Sequence, residues 1–293
     1  MEIGLFLGCN TPAIRPDVER AIRATMPKLG VDLVDLEGYV CCPAFGTFPS
    51  TDEDSHLAVS GWNLSLAEQK GLDLLVECGS CYSSLSMGRE HILHSEERKA
   101  RVNELLEPTG RSVEGKSKVR HITDVLYHEV GLDRIAESIG KRLDGMHAVI
   151  QYPCHTLFPS ELVGFDHPST RPHILGDLVR ALGAEVDHFS CEYTCCGGAG
   201  GFHTASAREA NAYSQRKLDA IQAETRADFM VVSCITCLMH LDNVQKELNQ
   251  GNGKYNLPVF DYNQLLALCM GADAKQVAGI CSVPRDEVVA RLA

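Results

Sequence analysis

Apolar residues along this chain follow two rhythms. Short unbroken apolar runs, "EIGLFLGC", "LDLLVECGSC", "HAVIQYPC" and "DFMVVSCITC", have the length of buried strands, and each ends at a cysteine. Between them lie stretches such as "RPDVERAIRATMPKLG" and "RPHILGDLVRALG", with apolar residues three and four apart and a closing glycine, which predict amphipathic helices. "GVDLVDLEGYV" and "GAEVDHFSCEY" predict further strands. "VRHITDVLYHEVG" and "LPVFDYNQLLALCMG" each predict an extended piece, a capping residue and a helix.

The same order of elements occurs twice, which signals an internal duplication. Strands alternating with helices predict an α/β fold of two pseudo-symmetric repeats. Each repeat is a small parallel sheet flanked by helices, joined by right-handed crossovers, with the cysteines at the C-terminal ends of the strands. Strands without polar alternation fit burial on both faces. The polar stretch "GKRLDGM", residues 140–146, places the boundary between repeats 1–143 and 144–293. Residues 95–118 are rich in charge and predict a helix followed by an exposed loop.

Composition changes the picture at one residue type. The chain has 293 residues, 44% of them hydrophobic, with a net charge of -12 and no basic block, which disfavours nucleic-acid binding. No apolar run is long enough for a membrane span, and the N-terminus lacks the positive region of a signal peptide, so a cytoplasmic location is expected. Thirteen cysteines in such a chain point to metal ligation or redox chemistry rather than a disulfide framework.

Ten of the cysteines form two series in the same order. Cys9, the pair Cys41-Cys42 and the CxxC of Cys78 and Cys81 lie in the first half. Cys154, the pair Cys195-Cys196 and the CxxC of Cys234 and Cys237 lie in the second, while Cys191, Cys269 and Cys281 stand outside the repeat. Each series follows strand ends, the edge of an open α/β sheet at which ligands bind. Zinc takes four ligands and an ordinary cubane cluster four cysteines, commonly in a CxxCxxC run that is absent here. Five thiolates including a vicinal pair suit an iron–sulfur cluster whose irons do not form a simple cube. Thiol–disulfide exchange by a CxxC dithiol would leave eight of the ten without a role. The glycine run "GGAGGF" lacks dinucleotide-binding spacing and fits close approach of backbone amides to a cluster or an anion, ahead of a helix beginning near Ser206.

"GC", then "CC", then "CxxC" resembles the cysteine-rich CCG domain, here in tandem, with "CCGGAGG" as the namesake motif and "CCPAFG" as its divergent counterpart. Through "LFLGCNTPAIRPDVE", "CGSCYSSL" and "PVFDYNQLL", the chain most resembles the family of heterodisulfide reductase B subunits of methanogenic archaea. The resemblance implies a non-cubane [4Fe-4S] cluster in each repeat and reduction of the coenzyme M–coenzyme B disulfide to two thiols. The first cluster would take Cys9, Cys41, Cys42, Cys78 and Cys81, and the second Cys154, Cys195, Cys196, Cys234 and Cys237. Pro43 leaves zinc in the first half open. The implied partners are a ferredoxin-like C subunit, a flavin-containing A subunit, and an upstream hydrogenase or formate dehydrogenase. Two one-electron sites suit a two-electron disulfide reduction.

The implied substrate carries a sulfonate and a phosphate, so cationic groups near the cysteines are candidates to bind it: Arg15, Arg89, His155, His203 and His240. His155 and His203 are the preferred proton donors to nascent thiolates. The competing function is a CCG-type electron-transfer subunit of a flavin-dependent glycolate, lactate or succinate oxidising complex.

Overall fold

The structure is a computed structural model, and it describes every residue except Phe45, Thr47, residues 199–201 and 250–252, Ala293 and the side chain of Phe202. Gly200 and Gly201 of the glycine run thus lie outside the described residues.

Each half contains a parallel four-stranded sheet. The first has the order β2-β1-β3-β4, built from β1 (Glu2–Phe6), β2 (Asp32–Asp35), β3 (Leu74–Val76) and β4 (Val119–His121). The second, β6-β5-β7-β8, repeats it with β5 (His147–Gln151), β6 (Glu185–Asp187), β7 (Phe229–Val232) and β8 (Val259–Asp261). The two α/β repeats expected from the sequence are therefore present. The central strands are buried along most of their length, whereas the edge strands β2 and β6 are partly exposed and carry acidic residues at their ends.

In this order the chain leaves β1 and β3 in opposite directions across the sheet, so a crevice forms at their carboxyl ends. Cys9 follows β1 and Cys78 follows β3. Cys154 and Cys234 take the same places after β5 and β7.

The pleat splits the first sheet between two cores. Ile3, Leu5 and Leu75 join Val18, Ile22 and Ile122 in a core shared with both faces of the second sheet. Phe6, Leu74 and Val76 face a smaller core made with Leu57, Leu64, Leu85 and Ile92. Helix Glu96–Leu106 covers this smaller core with Val102 and Leu106, and the segment after it adds Val113, fully buried. The loop expected to be exposed is therefore partly core: few apolar residues among many charges left no periodic signal.

The halves are joined at several points. Helix Pro16–Thr25 packs on helix Tyr262–Cys269. The C-terminal segment closes over both: Arg15 makes a two-pronged ion pair with Asp17 at 2.8 and 3.0 Å and donates to the Ile280 carbonyl at 2.9 Å. Gln264 donates to Asp17 at 2.6 Å, and Arg285 donates to Gln264 and to the carbonyls of Ala278 and Val259. On the other side, Tyr82 donates to the Val163 carbonyl at 2.8 Å, and its ring meets those of His121 and Phe165 edge-on, each at 5.6 Å.

Candidate metal centre between the two repeats

Local backbone needs explain much of the sequence around the cysteines. Gly8, before Cys9, has φ 66°, and a Cβ there would stand 2.9 Å from Cys81 Sγ. Gly79, between Cys78 and Ser80, lies at the line where the halves meet: a Cβ would be 3.1 Å from Pro153 and 3.6 Å from Cys234 Sγ. Gly197 has φ 96°, and its N–H points at Cys195 Sγ at 3.3 Å, while Gly198 N–H points at Cys196 Sγ at 3.4 Å. A Cβ on Gly197 would run into the Ala210 carbonyl at 2.5 Å, and one on Gly198 into His240 at 2.7 Å.

All thirteen cysteines are free thiols. In the first half Cys42 Sγ lies 3.2 Å from Cys81 Sγ. Cys41 is within hydrogen-bonding range of Cys42 and Cys9, and Cys81 of Cys78. The second half repeats this: Cys196 Sγ is 3.3 Å from Cys237 Sγ, Cys195 bridges Cys154 and Cys196, and Cys237 reaches Cys234. The two series meet where Cys78 Sγ and Cys234 Sγ approach to 3.8 Å, with Thr236 Oγ1 at 3.7 Å from Cys78. Cys9 and Cys41 are exposed, whereas Cys81, Cys196, Cys234 and Cys237 are buried.

Crowded thiols cannot all ionise. Hydrogen bonds from Cys41 and Cys81 draw Cys42 down to about 5. Those from Cys154 and Cys196, with the Gly197 N–H, draw Cys195 down to about 2. Cys78 is lowered by Cys234 and Cys81. The partners Cys41, Cys81 and Cys154 are pushed up in turn, because each donates to a thiolate and would repel it if ionised. Full deprotonation of either set needs added positive charge. Soft thiolate donors of this kind fit iron–sulfur chemistry. The thiols run as chains of contacts, and among the described residues no three metal-binding side chains surround one ion position.

His155 is half-buried: burial lowers its pKa, while Cys195 and Cys78, one from each set, pull it back up. His203 and His240 face each other at 5.2 Å, His203 lies 4.0 Å from Glu247, and His240 hydrogen-bonds Ser214 at 2.8 Å. Together with Asn10, Thr236 and Asn243 they line a cavity of about 280 Å³ that touches both halves. The two arginine candidates do not join it. Arg15 is tied to Asp17 beneath the C-terminal segment, and Arg89 to Glu90 and the Ser117 carbonyl. Of the unrepeated cysteines, Cys269 is buried, Cys191 half-buried and Cys281 exposed.

Three contributors escaped sequence reasoning. Glu77, immediately before Cys78, is buried against Asp261, and burial raises both carboxyls. Thr236 reaches Cys78 from the other repeat. Lys217 is fully buried beneath the second set. Its one sequence signal was a lysine in register with Ala210, Ser214, Leu218 and Ile221 on the apolar stripe of helix Ala207–Glu224.

Two five-cysteine sets at the strand ends of duplicated α/β repeats define the class. The chain belongs to the CCG cysteine-rich domain family, which it matches over residues 3–86 and 148–242. Within that family it is similar along its whole length to a protein of Archaeoglobus profundus described as like the B subunit of heterodisulfide reductase, at 42% identity over 100% of this chain and 98% of the relative. It is 34% identical to the B subunit of a ferredoxin/F(420)H(2)-dependent CoB-CoM heterodisulfide reductase of Methanosarcina acetivorans, over 92% of this chain and 89% of that one. A membrane anchor subunit of an 8-methylmenaquinol:fumarate reductase from Wolinella succinogenes is 30% identical over 94% of both chains. The fold recurs in a hypothetical protein from Helicobacter pylori, with a TM-score of 0.71 at 15% identity over 95% of this chain and 50% of that one. Among the described residues no helix is long and apolar enough to cross a membrane.

Proposed function

We propose that this chain is the disulfide-reducing subunit of a heterodisulfide reductase-type complex, acting on the coenzyme M–coenzyme B disulfide or a close analogue. Cys9, Cys41, Cys42, Cys78 and Cys81 hold one non-cubane [4Fe-4S] cluster, and Cys154, Cys195, Cys196, Cys234 and Cys237 the other. The observation that carries this reading is the meeting of the two sets at Cys78 and Cys234, whose sulfurs lie 3.8 Å apart. Bound there, two such clusters supply one electron each, the number a disulfide needs.

The chain's own residues do the rest. Gly79 lets the two repeats approach, and Gly8 leaves room for Cys81. His155, felt by both sets, and His203, on the cavity wall, deliver protons to the two product thiolates. The electrons come from a ferredoxin-like C subunit, fed in turn by a flavin-containing A subunit, in the cytoplasm. The similarity to a fumarate reductase anchor subunit supports a second reading, an electron-transfer subunit whose substrate chemistry lies elsewhere.

Iron analysis and electron paramagnetic resonance of the anaerobically reconstituted chain test the proposal. About eight irons per chain are expected, four for each set, with a signal that changes when one thiol product is added. Full iron with a signal indifferent to thiols favours the electron-transfer reading. One zinc and about four irons would remove the two-cluster reading.

A further inference from the structure

The two repeats differ in the charge beside their cysteines. Lys217 is fully buried in helix Ala207–Glu224. Its ammonium donates to the carbonyls of Cys191 and Glu192, the latter at 3.3 Å, and stands 5.2 Å from the centre of the Phe189 ring. These partners orient the cation without neutralising it. Burial lowers its pKa to about 8, and Cys196, Cys191, Cys237 and Cys195 oppose that fall when ionised. At neutral pH a positive charge therefore lies under the loop that carries Cys195 and Cys196.

The first repeat has no cation at this position. Lys217 stands seventeen residues before Cys234, and the residue seventeen before Cys78 is Gly61, in helix Glu53–Glu68. A Cβ on Gly61 would stand 2.8 Å from Val102, 3.1 Å from Val113 and 3.4 Å from Leu106. Helix Glu96–Leu106 and the segment after it, which have no counterpart among the described residues of the second repeat, have taken the space a lysine would need.

We infer that Lys217 makes the second cysteine site easier to reduce than the first, so that the first electron to enter the chain settles in the second repeat. The inference rests on the proposal that both sets hold clusters. Adding an electron makes a site more negative, and a fixed cation in a poorly polarisable surrounding stabilises that state. Reduction here means one electron taken by one site from an external low-potential one-electron donor, with no bond made or broken. The ammonium also anchors the Cys191 and Glu192 carbonyls, so charge and hydrogen bonding have to be separated experimentally.

The experiment is a redox titration of the anaerobic, iron-loaded full chain with dithionite, followed by electron paramagnetic resonance. Cys42→Ser, which disables the first site, and Cys196→Ser, which disables the second, allow each signal to be measured alone. The second site should titrate at the higher potential. Lys217→Gln keeps an N–H donor for the two carbonyls but removes the charge, and Lys217→Met removes both. Each should shift the reduced-to-oxidised ratio of the second site at fixed potential at least tenfold towards oxidised, about 59 mV for a one-electron couple. The first site should move far less. If either lysine variant fails to load iron, the comparison of the two single-site chains still decides the ordering. A second site at or below the first in potential overturns the inference, as does Lys217→Gln with full iron and an unmoved potential. Either result leaves the proposed function standing, whereas a wild-type chain that binds no iron removes both.

Discussion

The substitution Gly8→Ala tests whether the backbone before Cys9 is shaped by the cysteine behind it. Gly8 has φ 66°, a conformation that costs an L-residue about 1–2 kcal/mol. The new Cβ would also stand 2.9 Å from Cys81 Sγ, closer than carbon and sulfur pack. Cys81 cannot simply withdraw, because it is buried and its sulfur already lies 3.2 Å from Cys42 Sγ. Overpacking of that kind adds roughly 1–3 kcal/mol. Gly71→Ala is the matched control: its φ is 67°, with no heavy atom within 4 Å of the added carbon, so it carries the backbone cost alone. At roughly 2–4 °C per kcal/mol for a chain of this size, the control should lower Tm by about 2–8 °C. Gly8→Ala should lower it further and reduce iron bound by the first set, measured by metal analysis beside thermal unfolding. A Gly8→Ala protein with the control's Tm and undiminished iron would refute the claimed contact between Gly8 and the cysteine site.

Cys196→Ser should cut bound iron by about half and reduce disulfide turnover far more, since two one-electron sites serve one disulfide; Cys269→Ser, outside both series, should leave iron and turnover nearly intact. Near-normal turnover at half the iron would eliminate the two-site mechanism. Burial holds His121 down to about 4, so its contribution to stability is complete above the unfolded value of about 6.5 and is lost as pH falls from there towards 4, an effect of about 3 kcal/mol. Urea midpoints at pH 7 and pH 4.5 should show His121→Gln losing much less stability on acidification than the wild type, and parallel losses would count against a neutral buried imidazole. Tyr82→Phe removes the hydrogen bond to the Val163 carbonyl and should cost about 1–2 kcal/mol in denaturant unfolding, with no change expected in iron.

The features legible in the sequence were those written in residue type and spacing. Eight strands were foreshadowed, four by apolar runs and four by the extended segments that follow the helical stretches or open the last helix of each half, and the five-cysteine order could be seen twice. Features created by distant contacts were not legible. Arg15 looked like a free cation near Cys9, yet one acceptor is the carbonyl of Ile280, 265 residues away. Val113 sits between a glutamate and a serine and gives no periodic signal, yet it is fully buried against Gly61. Lys217 shares a helical register with Ala210, Ser214, Leu218 and Ile221, but in a helix rich in charge that register shows its burial only once the covered face is known. The cysteine sets were visible as two series, but the contact that joins them, Cys78 to Cys234, spans 156 residues.

That contact separates the ten cysteines into two kinds. Cys196 lies inside its own repeat, in hydrogen-bonding contact with Cys195 and Cys237. Cys234 faces the other repeat: Cys78 is 3.8 Å away and is drawn down first by Cys234 and then by Cys81. The halves also share one apolar core, so the two sulfurs cannot drift apart without opening it. Cys234→Ser should therefore disturb both sites. It weakens the second directly, and it alters the first by replacing the polarisable sulfur beside Cys78 with a smaller hydroxyl. Cys196→Ser should leave the first site's paramagnetic signal and potential as they are in the wild type. The measurement is the first-site signal in the two variants, each normalised to bound iron. A first-site signal equally untouched in both would mean that the sets are independent despite their proximity, and the two-site reading would lose its support.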